Sequence, residues 1–226
     1  AGEEDDQSDD ADADAFAAET KGLLQRHGAT LLRIAAAAIE HGAARGVEHG
    51  NPLRIDLAKQ PAELTAPGAC FVTLHQAGRL RGCIGSATAQ RPLIVDAAEN
   101  GFAAAFKDPR FPPVTTQDIS TLELSISVLS ASVPMAFDDE TDFLSRLRPG
   151  IDGLIIEDQG HRALFLPSVW EALPTTEAFV SRLKMKAGLA ANHWSETFKA
   201  WHFIAEEASA LSLDDPASLW RAASAE

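Results

Sequence analysis

The sequence predicts an α+β fold, mainly antiparallel sheet with packed helices, arranged as two lobes in one domain. Three observations carry this expectation. Hairpin patterns occupy 70–85 and 153–167, a strictly alternating segment fills 121–128, and helical runs with apolar stripes fall between them. With 226 residues, of which 46% are hydrophobic and 23% charged, the chain is long enough to bury a substantial core.

In chain order, TLLRIAAAAIEHG at 30–42 reads as a helix with Leu31, Ile34, Ala35, Ala38 and Ile39 on one stripe, stopped at Gly42. The phrase EHG recurs at 40–42 and 48–50, setting His41 and His49 beside carboxylates. Without a helical i, i+4 histidine pair it reads as a cap and a loop, not a metal site. Residues 91–108 form a second helix opened by Pro92 and ended before Pro109. In 121–128, Leu122, Leu124, Ile126 and Val128 face inward. The run 153–167 is a hairpin turning at Asp158–Gly160, SVWE at 168–171 is a capping box, and 176–188 is an amphipathic helix ended by Gly188. ETFKAWHFIAEE at 196–207 reads as one late strand, and Leu211, Leu213, Leu219 and Trp220 are placed to dock an appended segment. The expected boundaries are an acidic disordered tail at 1–20, the α+β domain at 21–207 and a C-terminal extension at 208–226.

Residues 1–14 hold eight carboxylates and no basic residue, so much of the net charge of −14 belongs to that segment. The densest basic cluster, Arg182, Lys184 and Lys186, sits where a helix ends and satisfies its terminal carbonyls, which disfavours nucleic-acid binding. No apolar run has the roughly 18 residues that span a bilayer. The acidic start is unlike a signal peptide, and two cysteines thirteen apart match no zinc spacing; a cytoplasmic setting follows.

The hairpin at 70–85 carries the chemistry. A three-residue loop at Gln76–Gly78 pairs His75 with Arg79 and puts Val72, Leu74, Leu80 and Ile84 on one apolar face. Phe71, Thr73 and His75 then share the other face with Arg79, Arg81 and Cys83. Arg81 and Cys83 point the same way, and a neighbouring guanidinium favours thiolate. Gly82 and Gly85 leave room for a ligand or another backbone. The same cysteine also fits a plain reading as a small buried hydrophobe. Cys70 reads as structural.

LRGCIG at 80–85, AENGFAAAFKDPRFPPVT at 98–115, ELSISVLS at 123–130, RPGIDGLIIEDQGHRALFLPSVWE at 148–171 and LKMKAG at 183–188 together resemble the AMMECR domain family, most closely its prokaryotic AmmeMemoRadiSam branch. The resemblance runs over about 30–206. It implies an α+β domain of two lobes and carries over no agreed molecular activity; no cofactor is expected, and the histidines and cysteines give no metal set. It also implies association with a Memo-like protein and a radical SAM protein, and it marks Leu80, Arg81, Gly82, Cys83, Ile84 and Gly85 as a functional surface.

Two functions from different classes are compatible with these residues. One is a binding or regulatory module whose hairpin and DPRFPP loop, with Asp108, Arg110 and Phe111, dock partner proteins. The other is an enzyme in which Cys83 is nucleophile or transient acceptor, Arg81 activates it, and Glu99, Asn100 or His161 supplies polar groups to an unknown small-molecule ligand. No HExxH, GxSxG, P-loop or CxxC motif is present.

Overall fold

A computed structural model describes residues 3–46, 48, 50–51 and 53–220; His49 lies outside them. The elements in chain order are α1 (Glu3–Arg45), α2 (Ala62–Thr65), β1 (Pro67–Gln76), β2 (Arg79–Gly85), β3 (Arg91–Pro92), α3 (Leu93–Phe106) and β4 (Leu122–Leu129). They continue with β5 (Val133–Pro134), α4 (Glu140–Arg146), β6 (Gly153–Asp158), β7 (His161–Phe165), α5 (Thr176–Lys186), β8 (Lys199–Phe203) and β9 (Ala205–Ser209). All the pairings between these strands that the register defines are antiparallel, in agreement with the expected α+β class. No helix among the described residues is long and apolar enough to cross a membrane.

Two compact units divide the chain. One holds Lys21–Leu129 with the described residues from Glu206 onward, the other Ser130–Ala205 with the described residues up to Thr20. In the first, the sheet order is β2-β1-β4-β9, with β3 paired to β1. Its buried face is made by Val72, Leu74, Leu124 and Ile126, which pack with Leu31, Ala35 and Ile39 of α1 and Ile94 and Ala97 of α3. Strand β4 alternates buried and half-buried along its whole length, as the period-two pattern requires. Its opposite face, with Glu123, Ser125 and Ser127, stays half-buried beside Phe71, Thr73 and His75.

Helix α1 takes in the acidic run and continues past Gly42 to Arg45. Gly42 is therefore not a stop. A Cβ there would lie 2.4 Å from the Phe106 ring and 2.9 Å from that of Phe102, so this glycine lets the aromatic face of α3 approach. The chain turns out of the helix at Gly46, with φ +84. The C-terminal segment docks through Leu219, Leu213 and Trp220, whereas Leu211 is 64% exposed.

The second unit has the sheet β5-β8-β6-β7. Phe143, Leu154, Ile156, Phe179, Leu183 and Phe198 form its core, in which Trp170 stacks on Phe179 at 3.8 Å between ring centroids. The expected capping box does not form. Pro167–Glu171 is a 3-10 helix entered from Leu166 with no side-chain cap, because Pro167 already supplies the initiating geometry. The single strand expected at 196–207 is two strands in different sheets. The break falls at Ile204, where Ser130 intervenes: the Ser130 amide donates to the Ile204 carbonyl at 2.8 Å, and the Ile204 amide donates to Ser130 Oγ at 2.9 Å.

Two members of the basic cluster of α5 reach other elements. Lys184 is 1% exposed and pairs with Glu140 at 2.5 Å, while Lys186 Nζ donates to the Leu164 carbonyl on β7 at 2.9 Å.

Candidate functional site

Strands β1 and β2 are joined by a two-residue turn, Ala77–Gly78, with φ of +51 and +72. Two central residues with positive φ match the right-handed twist of the flanking strands. The pairing runs Gln76 to Arg79 and His75 to Leu80, then shifts, so that Leu74 faces Gly82, Thr73 faces Cys83, Val72 faces Ile84 and Phe71 faces Gly85. Arg81 is the extra residue of a β-bulge. Three expectations change with it. The loop has two residues instead of three. Leu80 joins the face of His75 and is 38% exposed, not part of the apolar face. Arg81 no longer alternates with Cys83 as a regular strand would require.

Arg81 is turned to the following loop. Its Nη1 donates to the Pro112 carbonyl at 2.7 Å and its Nη2 to that of Pro113 at 3.3 Å, with Asp118 3.8 Å away. The hairpin and the proline loop are thereby tied together. Gly82 and Gly85 serve close packing: a Cβ on Gly82 would meet the Ala104 carbonyl oxygen, and one on Gly85 would enter the Phe71 ring.

The guanidinium beside Cys83 belongs to Arg110. Strand β2 is the open edge of its sheet, and at Cys83 both main-chain groups are capped by side chains. Asp108 Oδ2 accepts from the Cys83 amide at 2.9 Å, and Arg110 Nη2 donates to the Cys83 carbonyl at 3.3 Å. The two caps also hold each other. Arg110 Nε donates to Asp108 Oδ1 at 2.9 Å and Nη2 to Oδ2 at 2.7 Å, while the Arg110 amide donates to Oδ1 at 3.1 Å. The Asp108 side chain is only 2% exposed, and the Arg110 fork and then the Cys83 amide drive its carboxyl far below the usual carboxylate range, against the opposing effect of burial. Asp108 raises Arg110 in turn, and Cys83 adds to that rise. Phe111 lies under the guanidinium, 5.5 Å from its centroid. The Cys83 thiol itself is half-buried and accepts a hydrogen bond from Thr73 Oγ1 at 3.3 Å.

Cys83, Asp108, Arg110 and Phe111 are thus brought together. Glu99, Asn100 and His161 are not part of this group. Glu99 accepts from Asn51 Nδ2 at 3.2 Å, and His161 bonds the Ala187 carbonyl at 2.8 Å in the second unit. Asn100 belongs to a buried network on the other face, centred on Asp96, a residue the sequence reading missed. Asp96 Oδ2 accepts from the Cys70 amide at 2.9 Å and from Asn100 Nδ2 at 2.9 Å; Oδ1 accepts from Ser86 Oγ at 2.6 Å and Arg91 Nε at 2.7 Å. Cys70 is fully buried there, and desolvation pushes its thiol well up from its ordinary value. The signal available was an Asp and an Asn four residues apart on the otherwise apolar face of α3. Among the described residues no three His, Cys, Asp or Glu side chains converge to hold a metal ion.

A family model described as AMMECR1 matches residues 32–208. The chain is 38% identical over 174 residues to a protein of Methanothermobacter thermautotrophicus, a match covering 74% of this chain and 85% of that one. It is 34% identical over 161 residues to Protein MJ0810 of Methanocaldococcus jannaschii, covering 68% and 78%. Its structure is similar to the crystal structure of the uncharacterized protein PH0010 from Pyrococcus horikoshii, with a TM-score of 0.70, 32% identity and coverage of 80% and 90%.

Proposed function

This chain belongs to the AMMECR1 family, and from that premise we propose that it is a binding and regulatory component of the cytoplasm. It acts with Memo-like and radical SAM proteins through the LRGCIG surface. One observation carries the reading: the bulge at Arg81 turns Leu80 outward, 38% exposed, on a hairpin that Arg81 fastens to the Pro112–Pro113 loop. An apolar side chain held outward on a rigid edge strand is what a docking surface requires and what a free-standing edge strand avoids. The test is affinity capture from native extract, with partners identified by mass spectrometry. Capture of a Memo-like or radical SAM protein by the parent chain, lost in a folded Leu80→Asp variant, supports the proposal. Equal capture by both chains, or capture of neither partner class, defeats it.

A second reading, an enzyme using Cys83, is favoured by a different observation. Thr73 Oγ1 donates to Cys83 Sγ, and the guanidinium that reaches Cys83 in this reading is that of Arg110, through the Cys83 carbonyl, instead of Arg81.

A further inference from the structure

An arginine guanidinium carries five N–H donors in a fixed plane. In Arg110, Nε donates to Asp108 Oδ1, and Nη2 donates both to Asp108 Oδ2 and to the Cys83 carbonyl. Nη1 makes no hydrogen bond among the described residues, and the Arg110 side chain is 55% exposed. The ion pair is therefore polarised across the surface. Its carboxylate is the inner end, 2% exposed, and its guanidinium is the outer end. Three hydrogen bonds, two to Asp108 and one to the Cys83 carbonyl, hold the plane of the guanidinium near the Phe111 ring. Fixing a guanidinium in this way lowers the entropy lost when its remaining donors engage an acceptor.

We propose that the outer Nη1 edge of Arg110, beside the Cys83 carbonyl that Nη2 holds, is a binding subsite for a small carboxylate. The ligand's carboxylate oxygen accepts from Nη1, and the carbon that carries the carboxylate lies toward Cys83 Sγ. Asp108 is a positioning residue: it touches no ligand and aims the guanidinium. The chain as a whole is strongly acidic, with a formal charge of −14, so a carboxylate reaching this thiol depends on the local donor and not on the overall field. The inference rests on the reading of Cys83 as an accessible thiol.

Two alkylating reagents of nearly equal size test it. Iodoacetate and iodoacetamide both place a CH2 group on sulfur, forming the S–C bond as iodide leaves, and differ only in bearing a carboxylate or a neutral amide. Rates are read at Cys83 by peptide mass spectrometry on the full chain at neutral pH, with the urea-unfolded chain as reference. The expected result is an iodoacetate-to-iodoacetamide ratio at Cys83 about tenfold above that reference, the size of one hydrogen bond to a charged group. Succinate at constant ionic strength should slow iodoacetate selectively in the parent chain, a measurement that needs no variant to fold. In Arg110→Gln the ratio should return to the unfolded value. Brisk reaction with iodoacetamide and no preference for iodoacetate overturns the subsite and leaves the accessible thiol standing. Inertness to both reagents overturns the two together.

Discussion

Gly82 stands against the backbone of α3: a Cβ at this position would come within 2.1 Å of the Ala104 carbonyl oxygen and 3.0 Å of its carbon. Backbone cannot yield as the end of a flexible side chain can, so the contact fixes where β2 lies on α3. It also accounts for the bulge. Gly82 has to face the helix and Cys83 the opposite side, and the extra residue at Arg81 reconciles that demand with a two-residue turn.

Gly82→Ala should therefore destabilise the protein by about 2–3 kcal/mol, the upper range for overpacking. Gly78→Ala is the control. That site has open space and only a positive φ of +72, and about 1 kcal/mol is expected from the left-handed backbone alone. Urea unfolding of both variants reads the difference. If Gly82→Ala costs no more than Gly78→Ala, the helix contact does not set the register.

The hairpin was visible in the chain, though as a three-residue loop at Gln76–Gly78, and so was the alternation of Leu122 through Val128. The register between them was not, because the bulge answers to Ala104, a residue on another element. Sequence spacing placed Arg81 and Cys83 on one face for the same reason. Arg110 was legible only as part of a stiff loop, since nothing local says that a residue 27 positions later reaches the Cys83 carbonyl. Lys186 makes the parallel case in the other sheet, capping the Leu164 carbonyl on edge strand β7 from a helix whose pattern suggested only a self-capping end. Both sheets thus protect an edge with a long cationic side chain.

Asp158 gives the second unit a defined acid response. Burial opposes its ionisation, but hydrogen bonds from Thr197 Oγ1 at 2.6 Å, His193 Nε2 at 2.5 Å and Ser195 Oγ at 2.7 Å overcome that and hold the carboxyl at about 2. An unfolded aspartate titrates near ~3.9. A native value below the unfolded one means the stabilisation is complete above that ordinary value and is lost as pH falls toward the native one. The urea midpoint of the parent chain should drop between about pH 4 and pH 2, and Asp158→Asn should be weaker at neutral pH with a flatter profile over that window. Parallel profiles for the two chains would show that the 193–197 loop does not depend on this carboxylate.

The Lys184–Glu140 pair is buried at one end only, since Lys184 is 1% exposed and Glu140 40%. The ammonium also lies 5.5 Å from the centroids of both Trp194 and Phe198. Removing either partner breaks the same bond but strands different charges. Glu140→Ala leaves a buried ammonium beside two aromatic rings without its carboxylate, for which a loss of about 3–5 kcal/mol is expected. Lys184→Met leaves a carboxylate that can rehydrate and puts an apolar chain of similar length among the aromatic rings, so a change within about 1 kcal/mol is expected. The double variant should then resemble Lys184→Met alone, because Glu140 has nothing left to neutralise. Chemical denaturation of the three chains measures the asymmetry; equal costs for the two single changes would mean that Lys184 finds another route to solvent.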